Sequence, residues 1–323
     1  MDDLGSRQKT FYSQHLKMMK FVPIVSKNAN FYYFLHNFAK IKEPFHYRKW
    51  NISLWRKEIS FTKKENLSFK RFNKIHFKYF PKVYIGKYFF LSQSPWVDLK
   101  KEISSKDLNV LREIFEILKK KFEVIYSKDL SNLKKWEIKL KKENRKLEEN
   151  FLTKSITNKL RKFYNAVPQT KEVRAYLLLN SLKNNTSGER GRGLDGKSIM
   201  IELSRCSLNK INYILGIIWH EIIHCQFESY HLKKLLFSIL KNEIKVLFAS
   251  EIIARSFFPM GILGIKFFNL PTPFTLTSSK WETFPRIDSQ QTKEILALSN
   301  YYLEKNKKID LCYIKKLKRI LKI

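Results

Sequence analysis

The sequence predicts an α+β protein whose amino-terminal half is largely helical. Three observations lead to this prediction. Apolar residues recur at helical spacing over 108–118, which indicates the buried face of an amphipathic helix. Two apolar runs, 172–180 and 198–204, have the length and composition of strands. The run 211–227, INYILGIIWHEIIHCQF, is apolar on nearly every side, which is typical of a buried helix.

Residues 1–95 form an aromatic and basic amino-terminal region. Short β-like pieces stand at 82–85 and 88–91, on either side of Gly86. The pattern predicts no single fold class for this region.

Residues 96–165 form a predicted helical region. One helix is expected over 107–124, with Ser104 or Ser105 as its N-cap. A second helix, over 130–150, interleaves Glu and Lys along its length. That pattern predicts an exposed helix stabilised by ion pairs one turn apart.

Residues 166–272 contain the two predicted strands and the buried helix. The loop KNNTSGERGRGLDG joins the strands and is expected to be flexible, because it is rich in Asn, Ser and Gly. Ser207 is the expected cap of the buried helix. We expect the last strand before that helix, 197–204, to lie at the sheet edge, where an extended peptide can pair with it. Residues 273–323 are predicted to form a loop and two helices.

Length and composition are those of a globular protein. The 323 residues are 44% hydrophobic and 15% aromatic, which is enough for a sizeable core. We find no apolar run of the roughly 18 residues that a membrane span needs, and the segment MDDLGSRQKTFYSQ does not resemble a signal peptide. Three cysteines, Cys206, Cys225 and Cys312, do not suggest a disulfide framework. A cytoplasmic location is therefore expected.

The formal net charge is +34, and most of it comes from lysine. Nucleic acid or an anionic membrane surface is the kind of partner that such a charge attracts. The lysines are spread from end to end, however, and no nucleic-acid-binding motif accompanies them. This distribution favours scattered, solvated lysines over a dedicated binding tract.

The buried helix contains the motif His220-Glu221-x-x-His224. Two histidines four residues apart lie on one face of a helix, so both imidazoles can bind a single Zn²⁺. Glu221 stands beside them, where it can act as general base and then as general acid. This is the H-E-x-x-H arrangement of zinc-dependent peptidases. Gly216, one turn earlier, costs about 1 kcal/mol relative to alanine, which predicts a close neighbour or open space beside it.

Catalytic zinc usually has a third protein ligand. In the metzincin pattern this is a later histidine, but Phe227 occupies the glycine position of that pattern and His231 comes one residue too late. Glu243 follows the second histidine after eighteen intervening residues. Glu251 is followed by Ala254 in a Glu-x-x-Ala pattern, in which the small residue lets two helices approach. We favour Glu251 and keep Glu243 as the alternative.

On these motifs, residues 165–270 resemble the gluzincin metallopeptidases as a class. The resemblance implies a zincin-like catalytic unit, with a small sheet, an H-E-x-x-H helix and a Glu-bearing helix. It also implies that His220, His224 and Glu251 bind one Zn²⁺, and that Glu221 serves as general base and acid in the hydrolysis of a peptide or protein substrate. The family uses a Tyr or His to stabilise the oxyanion, and no residue of this chain is assigned to that role.

Two other functions compete with this one. Residues 191–198, GRGLDGKS, fit the phosphate-binding loop G-x-x-x-x-G-K-[ST] of NTPases. Such a loop opens a helix, whereas the next residues, SIMIELS, have the pattern of a strand. The other alternative is a basic protein that binds nucleic acid or a membrane surface and holds no metal. Cys225, beside the motif, is predicted to fill the core.

Overall fold

A computed structural model of the chain describes residues 19–43, 47–190, 194–273, 275–276 and 286–323. The strands are β1 (Lys20–Ile24), β2 (Glu172–Leu178), β3 (Ser187–Arg190) and β4 (Ser198–Glu202). The first helices are α1 (Lys27–Phe38), α2 (Lys49–Glu58), α3 (Lys63–Tyr79), α4 (Gly86–Leu91), α5 (Pro95–Leu99), α6 (Ser105–Glu149) and α7 (Leu152–Tyr164). The later helices are α8 (Ile211–Ile222), α9 (Tyr230–Leu240), α10 (Glu243–Phe257), α11 (Ile262–Phe268), α12 (Ser289–Glu304) and α13 (Leu311–Leu321). This composition confirms the predicted α+β class and the helical amino-terminal half.

The four strands form one mixed sheet in the order β1-β2-β4-β3. β1, β2 and β4 are parallel, and β3 runs antiparallel to β4. The prediction that the strand before the motif helix lies at the edge is therefore wrong, because β4 lies between β2 and β3. The edge strand, β3, falls inside the loop that was predicted to be flexible. Pairing with β4 overrides the weak strand preference of its Ser and Gly residues.

The amino-terminal region supplies a strand of the sheet, which the sequence pattern did not indicate. β1 contains Pro23, and proline is tolerated in a sheet mainly on edge strands. β1 is such a strand, because it pairs only with β2 within the described residues. The β-like pieces predicted at 82–85 and 88–91 are wrong, since 82–85 form turns outside the sheet and 86–91 form α4. Short apolar runs fit a buried helix as well as a strand.

Helix α6 is continuous, although the sequence predicted two helices here. It is 45 residues long and begins at the cap of Ser104, whose side chain accepts from the Asp107 amide. Its buried face continues through Ile125, Asp129 and Leu133, so the two predicted helices share one stripe. The expected ion pairs occur on its exposed side, for example between Lys141 and Glu137 at 3.1 Å.

Helix α6 also braces the turn that leads from β4 into α8. The indole of Trp136 donates to the carbonyl oxygen of Cys206 at 3.1 Å. Asp129 accepts from the Ser204 hydroxyl at 2.6 Å and from Arg205 at 3.1 Å. The amino-terminal half therefore fixes the start of α8, the helix that contains the H-E-x-x-H motif.

A 3₁₀ turn, Leu208–Lys210, precedes α8, and Ser207 makes no side-chain cap bond. The predicted cap is therefore wrong. α8 continues without a break into a π-helical turn, Ile223–Phe227. The sequence prediction of one buried helix over 211–227 agrees with this extent. The two predicted carboxyl-terminal helices are α12 and α13.

The stretch Glu243–Phe268 is long and apolar enough to cross a membrane by length and composition, with a mean hydropathy of 1.5 over its most apolar window. This finding corrects the expectation that the chain lacks such a run. The stretch comprises α10 and α11, and 67% of that window is buried inside the protein. The core helix of a soluble protein passes the same test, so the stretch is weak evidence for a membrane span.

Candidate metal centre

Three side chains from two packed helices converge at the motif. Nε2 of His220 lies 3.1 Å from Nε2 of His224. Glu251, on α10, places Oε2 at 3.2 Å from Nε2 of His224 and Oε1 at 3.5 Å from Nε2 of His220. One ligand atom of each residue lies within 4.8 Å of the other two. The structure thus brings together the two motif histidines and the glutamate favoured from the sequence.

His220 is held from behind by a backbone carbonyl. Its Nδ1 lies 3.0 Å from the carbonyl oxygen of Phe258. Because a carbonyl only accepts, Nδ1 donates, which leaves Nε2 as the ring nitrogen that faces the cluster. The close approach of Phe258 and Pro259 to helix α8 depends on Gly216, where a β-carbon would lie 2.9 Å from both Cα and Cβ of Pro259. This glycine therefore has the close neighbour that was one of the two predicted reasons for it.

His224, in the π turn, is held from behind by a carboxylate. Its Nδ1 lies 2.7 Å from Oε1 of Glu228, and the hydroxyl of Ser250 donates to the same oxygen at 2.5 Å. The carboxylate accepts, so Nδ1 of His224 donates and Nε2 again faces the cluster. A carboxylate in this position fixes the tautomer and orientation of a metal-binding histidine and makes it more basic.

This set of ligand atoms fits a divalent cation. With both rings neutral, two Nε2 lone pairs and one carboxylate face each other across 3.1–3.5 Å. Buried acceptors are costly unless they find a donor or a cation. Two imidazoles and one glutamate are the protein ligands of a known class of catalytic zinc sites, in which a fourth position stays open.

In the absence of a metal, a proton on His224 occupies the cluster instead of the cation. Burial lowers the pKa of His224, but the carboxylates of Glu228 and Glu251 outweigh burial and raise this pKa to about 10. Burial raises the pKa of Glu251, yet His220, His224 and Arg255 hold it well below its ordinary value. Metal binding at such a site must displace the His224 proton.

Glu221 lies against the edge strand β3. It is buried, and a β-carbon on Gly188 of β3 would lie 2.7 Å from its Cγ and 2.8 Å from its Oε1. Glycine at this position of β3 therefore leaves the space that the carboxylate occupies. The motif glutamate and the sheet edge are in direct contact, which the sequence alone did not indicate.

The other two candidate ligands do not join the cluster. Glu243 is exposed at the first turn of α10, two turns before Glu251. His231 is exposed on the first turn of α9 and lines a cavity of about 370 Å³. Cys225, predicted as core filling, is only half-buried, lines the same cavity and donates to the carbonyl oxygen of Gly196 at 2.8 Å.

Sequence reasoning missed the residues that support the ligands. Glu228 and Ser250 hold His224, and Arg255 donates from Nε to Oε1 of Glu251 at 2.6 Å. One signal was present in the sequence. Glu228 stands four residues after His224, and Arg255 stands four residues after Glu251, which is the spacing of side chains that meet on a helix.

Comparisons with protein-family models, with curated proteins and with solved structures found no match. The function of the chain must therefore be inferred from its own residues and their geometry.

Proposed function

We propose that this protein is a zinc metallopeptidase with a gluzincin-type centre. The observation that supports it most directly is the convergence of two histidine Nε2 atoms and the Glu251 carboxylate, with each Nδ1 engaged by an acceptor. Both imidazoles thereby present the atom that binds metal. The combination of a sheet edge, a motif helix and a Glu-bearing helix also agrees with a zincin-like unit.

In this proposal His220, His224 and Glu251 hold one Zn²⁺, which would polarise the scissile carbonyl and lower the pKa of water to about 7. Glu221 takes a proton from the attacking water and delivers it to the leaving amine. Its place against Gly188 keeps the carboxylate at the sheet edge.

The edge strand β3 gives the substrate a place to bind. Within the described residues β3 pairs on one side only, with β4. An extended peptide added on its other side would run beside Gly188 and so pass close to Glu221. This geometry favours a peptide or protein substrate bound in extended form. We assign the activity to the cytoplasm, because the three cysteines are free thiols.

The proposal is tested by the zinc content of the purified protein, measured by elemental mass spectrometry beside hydrolysis of a fluorogenic peptide library. We expect about one zinc per chain in the parent. His224→Ala and Glu251→Ala should lose the zinc and the activity. Glu221→Gln should keep the zinc and lose hydrolysis, because it removes only the proton acceptor. Glu243→Ala is the matched control and should keep both.

A parent protein that takes up no zinc when supplied with it would contradict the proposal, and the basic binding protein would become the better hypothesis. The P-loop alternative gains no support from the fold. Residues 191–193 of that motif lie outside the described residues, and Ser198, its last residue, begins strand β4 where a P-loop requires a helix.

A further inference from the structure

Arg255 lies at the candidate metal centre and contacts it through only one of its guanidinium nitrogens. Arg255 lies one turn after Glu251 on α10, and its Nε donates to Oε1 of that ligand at 2.6 Å. The helix spacing and this bond fix the guanidinium against the cluster. A quarter of the Arg255 side chain is exposed, and the Glu251 oxygen that it contacts lies 3.5 Å from Nε2 of His220.

The two terminal NH₂ groups of Arg255 have no hydrogen-bond acceptor among the described residues. Only Nε is engaged. The guanidinium therefore keeps a planar pair of donors, Nη1 and Nη2, which point away from its anchor. Such a pair matches the two oxygens of a carboxylate and binds it through two parallel hydrogen bonds.

We propose that Arg255 binds a carboxylate of the substrate beside the scissile bond, which makes the enzyme selective for peptides with an acidic group at that position. This inference rests on the proposed peptidase function. The carboxylate belongs either to an Asp or Glu side chain or to the carboxyl terminus of the peptide. The chemistry of recognition is the same for both.

The inference also agrees with the charge of the molecule. A formal charge of +34 draws acidic peptides toward the surface at long range, but it does not place them. Arg255 supplies the fixed contact at the reacting centre. The two effects can be separated, since long-range attraction weakens with ionic strength much more than a partly buried contact does.

The test compares matched peptides. The cleaved bond of one good substrate is first located by mass spectrometry. Glu is then exchanged for Gln at each flanking position in turn, and a free carboxyl terminus is exchanged for an amide. We expect kcat/KM to fall roughly 10- to 100-fold for the one exchange that removes the bound carboxylate. The position of that exchange identifies whether a side chain or the chain terminus is recognised.

Arg255→Met should abolish this discrimination, so that the ratio of kcat/KM for the acidic and the amide peptide falls to about one at equal zinc content. Arg255→Lys should retain part of the ratio, because lysine keeps the charge and loses the planar fork. The matched control is Arg71→Met. Arg71 is also partly exposed and paired with one glutamate, Glu113, and its removal lowers the net charge by the same amount. That variant should discriminate as the parent does, at low and at raised ionic strength.

A second readout uses binding without turnover. Affinities for the acidic and amide peptides are measured in the Glu221→Gln protein, with and without Arg255→Met, and zinc content is checked in each. Tighter binding of the acidic peptide that disappears with Arg255 supports the proposal. Equal cleavage and equal binding of both peptides by proteins that contain Arg255 would overturn it while leaving the peptidase function intact. Absence of cleavage of any peptide by the zinc-loaded parent would instead contradict the proposed function.

Discussion

At the scale of single residues, the candidate centre combines what a motif shows with what only packing shows. His220 and His224 were predicted from spacing, because the distance between two residues along a helix determines which face they share. Glu251 was favoured because of its Glu-x-x-Ala pattern and the resemblance to the gluzincins. Glu228 and Arg255 were not predicted. Each is an ordinary charged residue whose role depends on a hydrogen bond to one particular ligand atom, and many charged residues of this chain stand one turn from another polar side chain.

Glu228 should control the metal affinity of His224. Glu228→Gln keeps the size of the side chain but removes the negative charge behind Nδ1, and we expect zinc affinity to fall about 10- to 100-fold. Ser250→Ala, which removes one hydrogen bond to Glu228, should have a smaller effect in the same direction. Competition with a chromophoric chelator measures both. Glu243→Gln is the control, and an unchanged affinity in Glu228→Gln would mean that Glu228 does not orient the ligand.

Zinc binding should release a proton from His224. In the metal-free protein the carboxylates raise the pKa of His224 to about 10, so near pH 8 the ring is charged and zinc must displace one proton. Affinity should therefore rise about tenfold per pH unit from pH 7 to 9. Calorimetry at one pH in buffers of different ionisation enthalpy counts the protons, and a count of zero would contradict the prediction.

The raised pKa of His224 also makes the stability of the metal-free protein depend on pH. Because the pKa is raised above the unfolded value of about 6.5, the charged His224 contributes its full stabilisation below that pH. This contribution is lost as the pH rises through about 10. The metal-free protein should thus lose stability between about pH 6.5 and 10. The zinc-bound protein should not lose it, because the metal-bound His224 carries no extra proton to give up.

At the scale of elements, the long periodic segments were predictable and the sheet was only partly so. α6 and α13 have apolar stripes that indicate a helix without tertiary information. β1 and β3 have no such pattern, since one contains a proline and the other is rich in Ser and Gly. Both become strands because a neighbouring strand offers unpaired backbone groups. The position of the sheet edge therefore had to be observed.

The close packing of Pro259 against Gly216 positions the carbonyl that binds His220. Gly216→Ala would place a β-carbon 2.9 Å from Pro259 and 3.0 Å from its carbonyl oxygen, so the backbone after α10 must move. This displaces the carbonyl of Phe258 from Nδ1 of His220. We expect a loss of about 1–3 kcal/mol in the free energy of unfolding together with weaker zinc binding, measured by urea denaturation and chelator competition.

Asn212→Ala is the control for that substitution. Asn212 is exposed on the first turn of α8, so alanine changes helix propensity there without a new contact, and stability and zinc affinity should stay near those of the parent. If Gly216→Ala behaved as this control does, then the close approach of Pro259 would not be needed to hold His220.

At the scale of the whole molecule, the candidate metal centre joins parts of the chain that are distant in sequence. Helix α6 donates a hydrogen bond to the turn before α8, and strand β1 pairs with β2 in the sheet. Helix α10 places Glu251 beside the histidines. The proposed regional boundaries therefore describe composition along the chain, whereas the sheet itself combines the first region with the third. Pairings over such a separation have no signal in local spacing, which is why the sequence did not indicate them.

Because the ligands come from two core helices, zinc should stabilise the entire fold. Removal with EDTA should lower the melting temperature, and adding zinc back should restore it in proportion to the logarithm of free zinc. The gain in unfolding free energy is about 2.7 kcal/mol when free zinc is 100 times the dissociation constant. The gain should be larger at pH 8 than at pH 6, since the His224 proton competes less well with zinc at the higher pH.

Two variants separate this stabilisation from catalysis and from zinc bound elsewhere on the surface. Glu221→Gln should show the full zinc-dependent shift, because Glu221 lies against β3 and is not among the clustered ligands. His224→Ala should show none. A shift that persisted in His224→Ala would place the stabilising ion outside the cluster of His220, His224 and Glu251. The motif helix would then be a buried structural element with no role in binding metal, and the peptidase proposal would fail with it.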